Sequence, residues 1–544
     1  MTPARLTVAL VAALLVRSPV IAQNPHASHE APAIPDELLE RPVALRHGIG
    51  TVHEPVSTTS SEAQAFYDQG LGYLHSFVWI EAARSFHQAL RVDPQLAMAY
   101  LGLSVAEWQL NRPAEARAAF ARGRELSAHR SGREQRRFEL RELELDALAR
   151  AGDADRLGAY RRALDESLVR EPLDVELWLL RGMAEARLPG DRGQGSPAGS
   201  IAYYEKALAL QPQSMAAHHY LTHAFESSGR IDDALAHGRI YARLAPAIPH
   251  AHHMYAHDLR RTGKTDDAIA EFQAAYDLEV QYARSEGIPI EYDWHHQHNL
   301  DLLATSLQYV GQVRAAERFF RASFGLASPQ ILQEFAKREW PEFLIERRRW
   351  AEAAAAADEM AAHASPIVSA TGYVMAGRAL LGAGRFRDAA TKANTALKLL
   401  RTLSANAGLV APLFEQLQGE YLLRTGQQEK GRGMLDGVVK TLRAQPGPDE
   451  WTQALFALSA IARTAREAGD WAFAGRIAQQ MLEHDPSYGG TRYALGLVAA
   501  HAGRIDAARR EFAQADAFWN KADADLPERQ AIARWQKEHP SPSR

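Results

Sequence analysis

The sequence predicts an all-α chain, a right-handed superhelix of about twelve stacked helical hairpins behind an extended N-terminal lead-in. Three observations predict it. First, a histidine pattern recurs: His218, His219 and His223 in "MAAHHYLTHAFESSGR" return 34 residues later as His252, His253 and His257 in "PHAHHMYAHDLRRTG". Thirty-four residues is the length of one helical-hairpin repeat. Second, small and bulky residues alternate as such a hairpin needs. In a unit starting at Ala63, Gly70, Ala82 and Ala89 let two helices approach, while Tyr73 and Phe86 fill the layer between hairpins. Third, prolines (Pro94, Pro212, Pro246, Pro486) stop the second helix of a unit, and glycines (Gly229, Gly263, Gly311, Gly384, Gly469, Gly503) mark the turn inside it.

Taken in order, residues 1–22 predict a secretory signal: Arg5 supplies the positive start, Leu6 to Val16 the apolar stretch, and Val20-Ile21-Ala22 the cleavage pattern. The apolar run is shorter than the roughly 20 residues needed to span a bilayer. Residues 23–60 mix Pro, Gly, Ser and Thr without periodicity and predict an extended segment packed across the first repeat. Residues 61–330 form the N-terminal array, with units starting at Ala63, Ala97, Val175, Met215, Pro249 and Gln297. Residues 331–519 form a C-terminal array, with units near Ala370, Pro412, Leu455 and Gly489; residues 520–544 supply a polar capping helix and tail. Three segments interrupt the period: a Gly-rich insertion at 187–200, the lengthened connection "DLEVQYARSEGIPIEYDW", and "AQPGPDEW".

Composition narrows the function. The 62 basic and 66 acidic residues are interspersed and leave a net charge of -4, which argues against a nucleic-acid partner. There is no cysteine, although an exported chain lives where disulfides form. That excludes thiolate metal ligands, covalent haem attachment, a cysteine nucleophile and a lipidated cysteine. No phosphate-binding loop or Gly-x-Ser-x-Gly elbow occurs, and no catalytic residue is assigned.

The hairpins are tetratricopeptide repeats (TPRs), and the segments "STTSSEAQAFYDQGLGYLHSFVWIEAARSFHQALRVDPQLAMAYLGLSVAE", "AAHHYLTHAFESSGRIDDAL", "HMYAHDLRRTGKTDDAIAEFQ" and "HHQHNLDLLATSLQYVGQ" resemble a group of bacterial exported TPR proteins of unassigned function. The resemblance runs over residues 45 to 330. It implies the fold and no established chemistry. Members usually carry Asn-His where this chain has Val78-Trp79, and Pro-Ser or Pro-Ala where it has Tyr255-Ala256, so a role of that Asn-His is absent here.

Eleven of the 22 histidines lie between His218 and His298, which concentrates any special chemistry in three repeats. Positions 2, 5, 9 and 12 of each first helix share one face and are expected to line the concave groove. They read Ala216, His219, His223, Glu226; then His250, His253, His257, Arg260; then His298, Asp301, Thr305, Gln308. His218 and His252 are expected to pack between helices and His237 to be solvated; His295 and His296, just before a helix, are open to either role.

Two functional classes follow. A groove of imidazoles, carboxylates and one arginine suits a protein or peptide partner, with no cofactor; the contact residues are then His219, His223, Glu226, His250, His253, His257, Arg260, His298 and Asp301. Alternatively, imidazoles at i and i+4 share a metal ion. The pairs His219/His223 and His253/His257, with His298, Glu226 and Asp301, would then reach into a common space and hold one or two ions of zinc, copper or non-haem iron. Glu226 is the candidate base if such a site is catalytic. A periplasmic or secreted location is expected on either reading, and the oligomeric state stays open.

Overall fold

A computed structural model describes residues 34–186, 198–328, 330–403, 407–444 and 448–540. The expected leader, residues 187–197 of the insertion and the last four residues of the tail lie outside the described residues. Among the described residues every regular element is helical, and no strand occurs. The helices pair into antiparallel hairpins and the hairpins stack.

The first hairpin shows how composition becomes packing. Ser60 caps the Ser61–His75 helix by accepting from Ala63 N at 3.1 Å. Its partner helix, Trp79–Val92, carries Phe86, which is fully buried. A Cβ at Gly70 or Gly102 would lie 2.6 or 2.3 Å from the Phe86 ring, so one aromatic fills the layer between three helices only because both facing positions lack a side chain. The turn glycines 229, 263, 311, 384, 469 and 503 all adopt φ of 68° to 79°, a region that costs other residues strain. Two boundaries differ from expectation. Pro412 lies inside the Ala407–Arg424 helix, which starts five residues earlier, and the unit expected at Gln297 begins with the Trp294–Tyr309 helix.

The lead-in reaches farther than the first repeat. Gly48 O accepts from Ala247 N at 2.8 Å, Gly50 lies against Met215, and Glu54 receives Arg137 Nη2 at 2.9 Å and Arg133 Nη2 at 2.9 Å. Arg46 and Arg84 both pair with Glu286. An extended strap can touch several repeats at once because each repeat advances the array only by one hairpin width.

Arg112 ties down the start of that strap. It bonds Ile34 O at 2.7 Å, pairs with Asp36, and holds Glu107 at 2.7 Å. Glu107 is 4% exposed, and its burial outweighs the Arg112 charge, pushing the carboxyl up from 4.5 to about 7. Below pH 4.5 both folded and unfolded chains hold that proton. Between pH 4.5 and about 7 only the folded chain keeps it, so stability falls as pH rises, by on the order of 3 kcal/mol in full. Urea unfolding at pH 5 and pH 8 checks this: Glu107→Gln should narrow the difference between the two pH values, and an unchanged difference counts against it.

The array also closes on itself. Tyr309 donates to Asp485 Oδ2 at 2.8 Å, Arg347 pairs with Glu528 at 3.1 Å and Lys521 with Asp266 at 2.6 Å. Gly311 O accepts from Asp523 N at 3.1 Å, and a Cβ at Gly311 would meet Ala522 and Leu526. The terminal Pro527–Glu538 helix packs Trp535 on Phe512 with ring centroids 5.0 Å apart. The late repeats therefore lie against residues 260–350.

Candidate histidine metal centre

Three helices carry the histidines: Met215–Ser227, Pro249–Arg261 and Trp294–Tyr309. Ser214 caps the first by accepting from Ala217 N at 3.2 Å, Pro249 opens the second at its first turn, and Asp293 caps the third by accepting from His295 N at 3.0 Å. Periodicity then puts His219 and His223 on one face, and His253 and His257 on the equivalent face one repeat on.

The residues expected to line an open groove are enclosed. His219 and His253 are fully buried, and Glu226, His250, His257, Arg260 and Asp301 are 5% exposed or less; His223 and His298 are half-buried. As the contact set for a docked peptide they are therefore corrected, because two other parts of the fold cover them. The turn after the first helix places Phe77, at φ of 59°, over the imidazoles, with ring centroids 4.6 Å from His219, 5.4 Å from His250 and 5.9 Å from His223. Bulky residues rarely adopt that backbone conformation. At the far end Arg260 donates to Thr305 Oγ1 at 3.0 Å, and the Pro448–Glu467 helix of the late repeats lies against the Pro249–Arg261 helix.

The two i,i+4 pairs fall into two adjoining groups, with His250 and His253 ring centroids 5.9 Å apart. Each pair recruits a histidine from the first helix of the next repeat. His219 Nε2 lies 3.1 Å from His223 Nε2 and 2.9 Å from His250 Nε2, and His223 Nε2 lies 3.4 Å from His250 Nε2. His253, His257 and His298 form the other group, with ligand atoms within 4.8 Å of one another. Glu226 lies 3.3 Å from His257 Nδ1 of the second group, and its charge also acts on His223 of the first.

Tautomers in the first triad are constrained. His219 Nδ1 lies 2.6 Å from His75 O, a carbonyl that only accepts, so Nδ1 carries the proton and Nε2 presents a lone pair. Three nitrogens at these separations cannot all be joined by hydrogen bonds, since one N–H serves one edge of the triangle well. Burial and the neighbouring imidazoles push His219 and His250 well below the usual histidine range, and burial brings His223 down to about 4. Neutral imidazole is the form that ligates metal.

Supporting residues were missed in the sequence. The lengthened connection extends the Thr265–Glu286 helix to 22 residues, ended by Gly287 at φ of 60°. The added turns carry Glu279, which accepts from His295 Nδ1 at 2.6 Å and His296 Nδ1 at 2.7 Å. Burial acts to raise the Glu279 carboxyl, but those two hydrogen bonds outweigh it and hold it below its ordinary range. The departure from the repeat length was the only signal of this. Of the others, His218 lies buried with its Nδ1 2.8 Å from that of His237, so His237 is paired and half-buried rather than solvated, and His252 pairs with Glu271 at 2.6 Å. A cavity of about 100 Å³ adjoins His250 and His295, walled by Phe77, Trp79, Tyr282 and Trp294.

Residues 80–130 and 189–249 match the tetratricopeptide repeat family model. No curated protein matches the chain. Among solved structures it is similar to PilW, a widely conserved type IV pilus biogenesis factor, at 18% identity over 42% of this chain and 96% of that one, with a TM-score of 0.23. It is also similar to the human IFIT1 dimer with m7Gppp-AAAA, at 12% identity over 85% of this chain and 90% of that one, with a TM-score of 0.34. No helix among the described residues is long and apolar enough to cross a membrane. With hairpins stacked along the described residues and the repeat model matched in two stretches, this is an all-α solenoid that carries tetratricopeptide repeats at 80–130 and 189–249.

Proposed function

We propose that this protein is an exported TPR scaffold that holds a transition-metal ion on His219, His223 and His250. One observation carries the reading: three imidazole nitrogens, two on buried histidines and one on half-buried His223, converge at 2.9 to 3.4 Å. An ion with metal–nitrogen bonds of about 2.0–2.1 Å and tetrahedral angles separates its ligand nitrogens by about 3.3 Å. A carbonyl fixing the far nitrogen of a ligand histidine is the usual support for such a site. With nitrogen donors and no thiolate, zinc and copper(II) fit best. Three protein ligands leave one position for water or a small molecule. Export rests on the leader read at residues 1–22.

Metal content tests the reading. Purified protein, stripped, reloaded with zinc or copper(II) and freed of excess, should retain stoichiometric metal by elemental analysis. His219→Ala/His223→Ala should lose it. Absence of stoichiometric metal in the wild type after loading with zinc, copper or iron would remove the proposal.

Repeats of this kind mediate protein interactions, and a second reading places an extended peptide partner on a surface other than the enclosed histidines. A cleft of about 590 Å³ between the lead-in and the Val175–Met183 helix supports it, lined by His53, Glu54, Arg133, Glu171 and Leu173. Leu173 at its edge is 77% exposed. A photo-crosslinker at Leu173 should capture an envelope protein that one at Lys430 does not; equal yields would argue against the cleft.

A further inference from the structure

We propose that His253, His257 and His298 form a second transition-metal site beside the first, so that the protein holds a pair of zinc or copper(II) ions between six imidazoles. The proposal rests on reading the first triad as a metal site.

The second group is a register copy of the first. His219 and His223 occupy positions 5 and 9 of one repeat and His250 position 2 of the next; His253 and His257 occupy positions 5 and 9 of that next repeat and His298 position 2 of the one after. Stacking repeats one hairpin-to-hairpin step, so three imidazoles are grouped a second time, with ring centroids 4.4, 4.8 and 6.0 Å apart. The pattern then stops, because positions 5 and 9 of the third repeat are Asp301 and Thr305.

Both copies fix the tautomer of their central histidine. The Asn299 amide nitrogen donates to Phe272 O at 3.1 Å, which leaves Asn299 Oδ1 as an acceptor, and His253 Nδ1 lies 2.9 Å from it. His253 therefore carries its proton on Nδ1, as His219 does against His75 O, and presents Nε2 as a lone pair. That Nε2 has no hydrogen-bond partner although His253 is fully buried. A buried imidazole nitrogen with no protein partner, grouped with two other imidazoles, is a donor atom available to a cation.

His295 lies between the groups. Its ring centroid is 4.8 Å from that of His250 and 4.3 Å from that of His253. Glu279 accepts from its Nδ1, and its Nε2 is buried without a hydrogen-bond partner. A histidine held by a carboxylate with its other nitrogen free is a ready ligand, and this one can complete the shell of either ion. His250 and His253, from different triads, have centroids 5.9 Å apart and nearly parallel rings, so two bound ions would be close neighbours.

Zinc stoichiometry and copper spectroscopy test this. The stripped full-length protein, loaded with zinc and desalted, should hold two ions per chain; His253→Ala/His298→Ala should hold one, and so should His219→Ala/His250→Ala. Because His253 is fully buried and its removal can disturb folding, His298→Gln, at a half-buried position, is the second probe and should also lose one ion while keeping wild-type helical circular dichroism. Copper(II) at two equivalents should give a broadened, spin-coupled resonance in the wild type and an ordinary mononuclear one in each variant. One ion in the wild type, unchanged in His253→Ala/His298→Ala and in His298→Gln, overturns the second site and leaves the first standing. No ion in the wild type overturns both. Two ions retained in all the second-triad variants would also overturn it.

Discussion

Free zinc at one hundred times its dissociation constant should stabilise the wild-type chain against urea by about 2.7 kcal/mol for each bound ion, and His219→Ala/His250→Ala should lose the increment of the first triad. The size follows from mass action: an ion that binds the folded triad and not the unfolded chain shifts the equilibrium by the logarithm of its saturation. Histidines of the unfolded chain also bind zinc weakly, which trims the effect. A solenoid opens segment by segment, so the gain should be local. Amide exchange should slow in the Met215–Ser227 and Pro249–Arg261 helices and stay unchanged in the Phe386–Leu400 helix, which packs against neither. Uniform protection along the chain, or a zinc effect that survives in the variant, would contradict the assignment.

The largest loss of stability from a single substitution outside the histidines should come from Arg137→Ala. Its guanidinium is 4% exposed and sits between two carboxylates, bonding Glu54 Oε1 at 2.9 Å and Asp174 Oδ1 at 2.8 Å. Glu54 belongs to the strap, while Asp174 caps the Val175–Met183 helix by accepting from Leu177 N at 3.2 Å. Removing the cation leaves both carboxylates enclosed without it, at a cost of about 3–5 kcal/mol. Arg133, which pairs with the same two acids at 2.9 and 3.1 Å, keeps the effect toward the lower end. Urea unfolding measures the loss, and Glu54→Gln in the Arg137→Ala background should recover part of it by removing a charge left uncompensated. A loss below about 1 kcal/mol, the size expected of an exposed pair, would show that the pair is effectively solvated.

The repeat register was legible because each hairpin's needs are local. Gly70 and Gly102 had to be small to admit Phe86, and Gly229 or Gly263 had to turn with positive φ, whatever the remainder of the chain did. The pairing of His219 with His223 and of His253 with His257 was legible for the same reason, since a spacing of four on one helix fixes a shared face. His298 was named with the two pairs, but His250 was not named as a ligand of the first. His250 and His298 join through the offset between repeats, and no spacing along one helix reveals it. Glu279, Asn299 and the His75 carbonyl were invisible too, because each acts from another helix or from an extension that breaks the period.

By itself, then, the sequence determined an all-α stack of hairpins and the helical faces on which its histidines sit. Only the tertiary structure decided that those faces are enclosed, that the imidazoles divide into two triads, and which groups orient them. The physical reason is range. Helical periodicity and turn chemistry act over a few residues, whereas closure depends on small rotations summed over many repeats and on contacts such as Tyr309 with Asp485, made between residues that are remote along the chain.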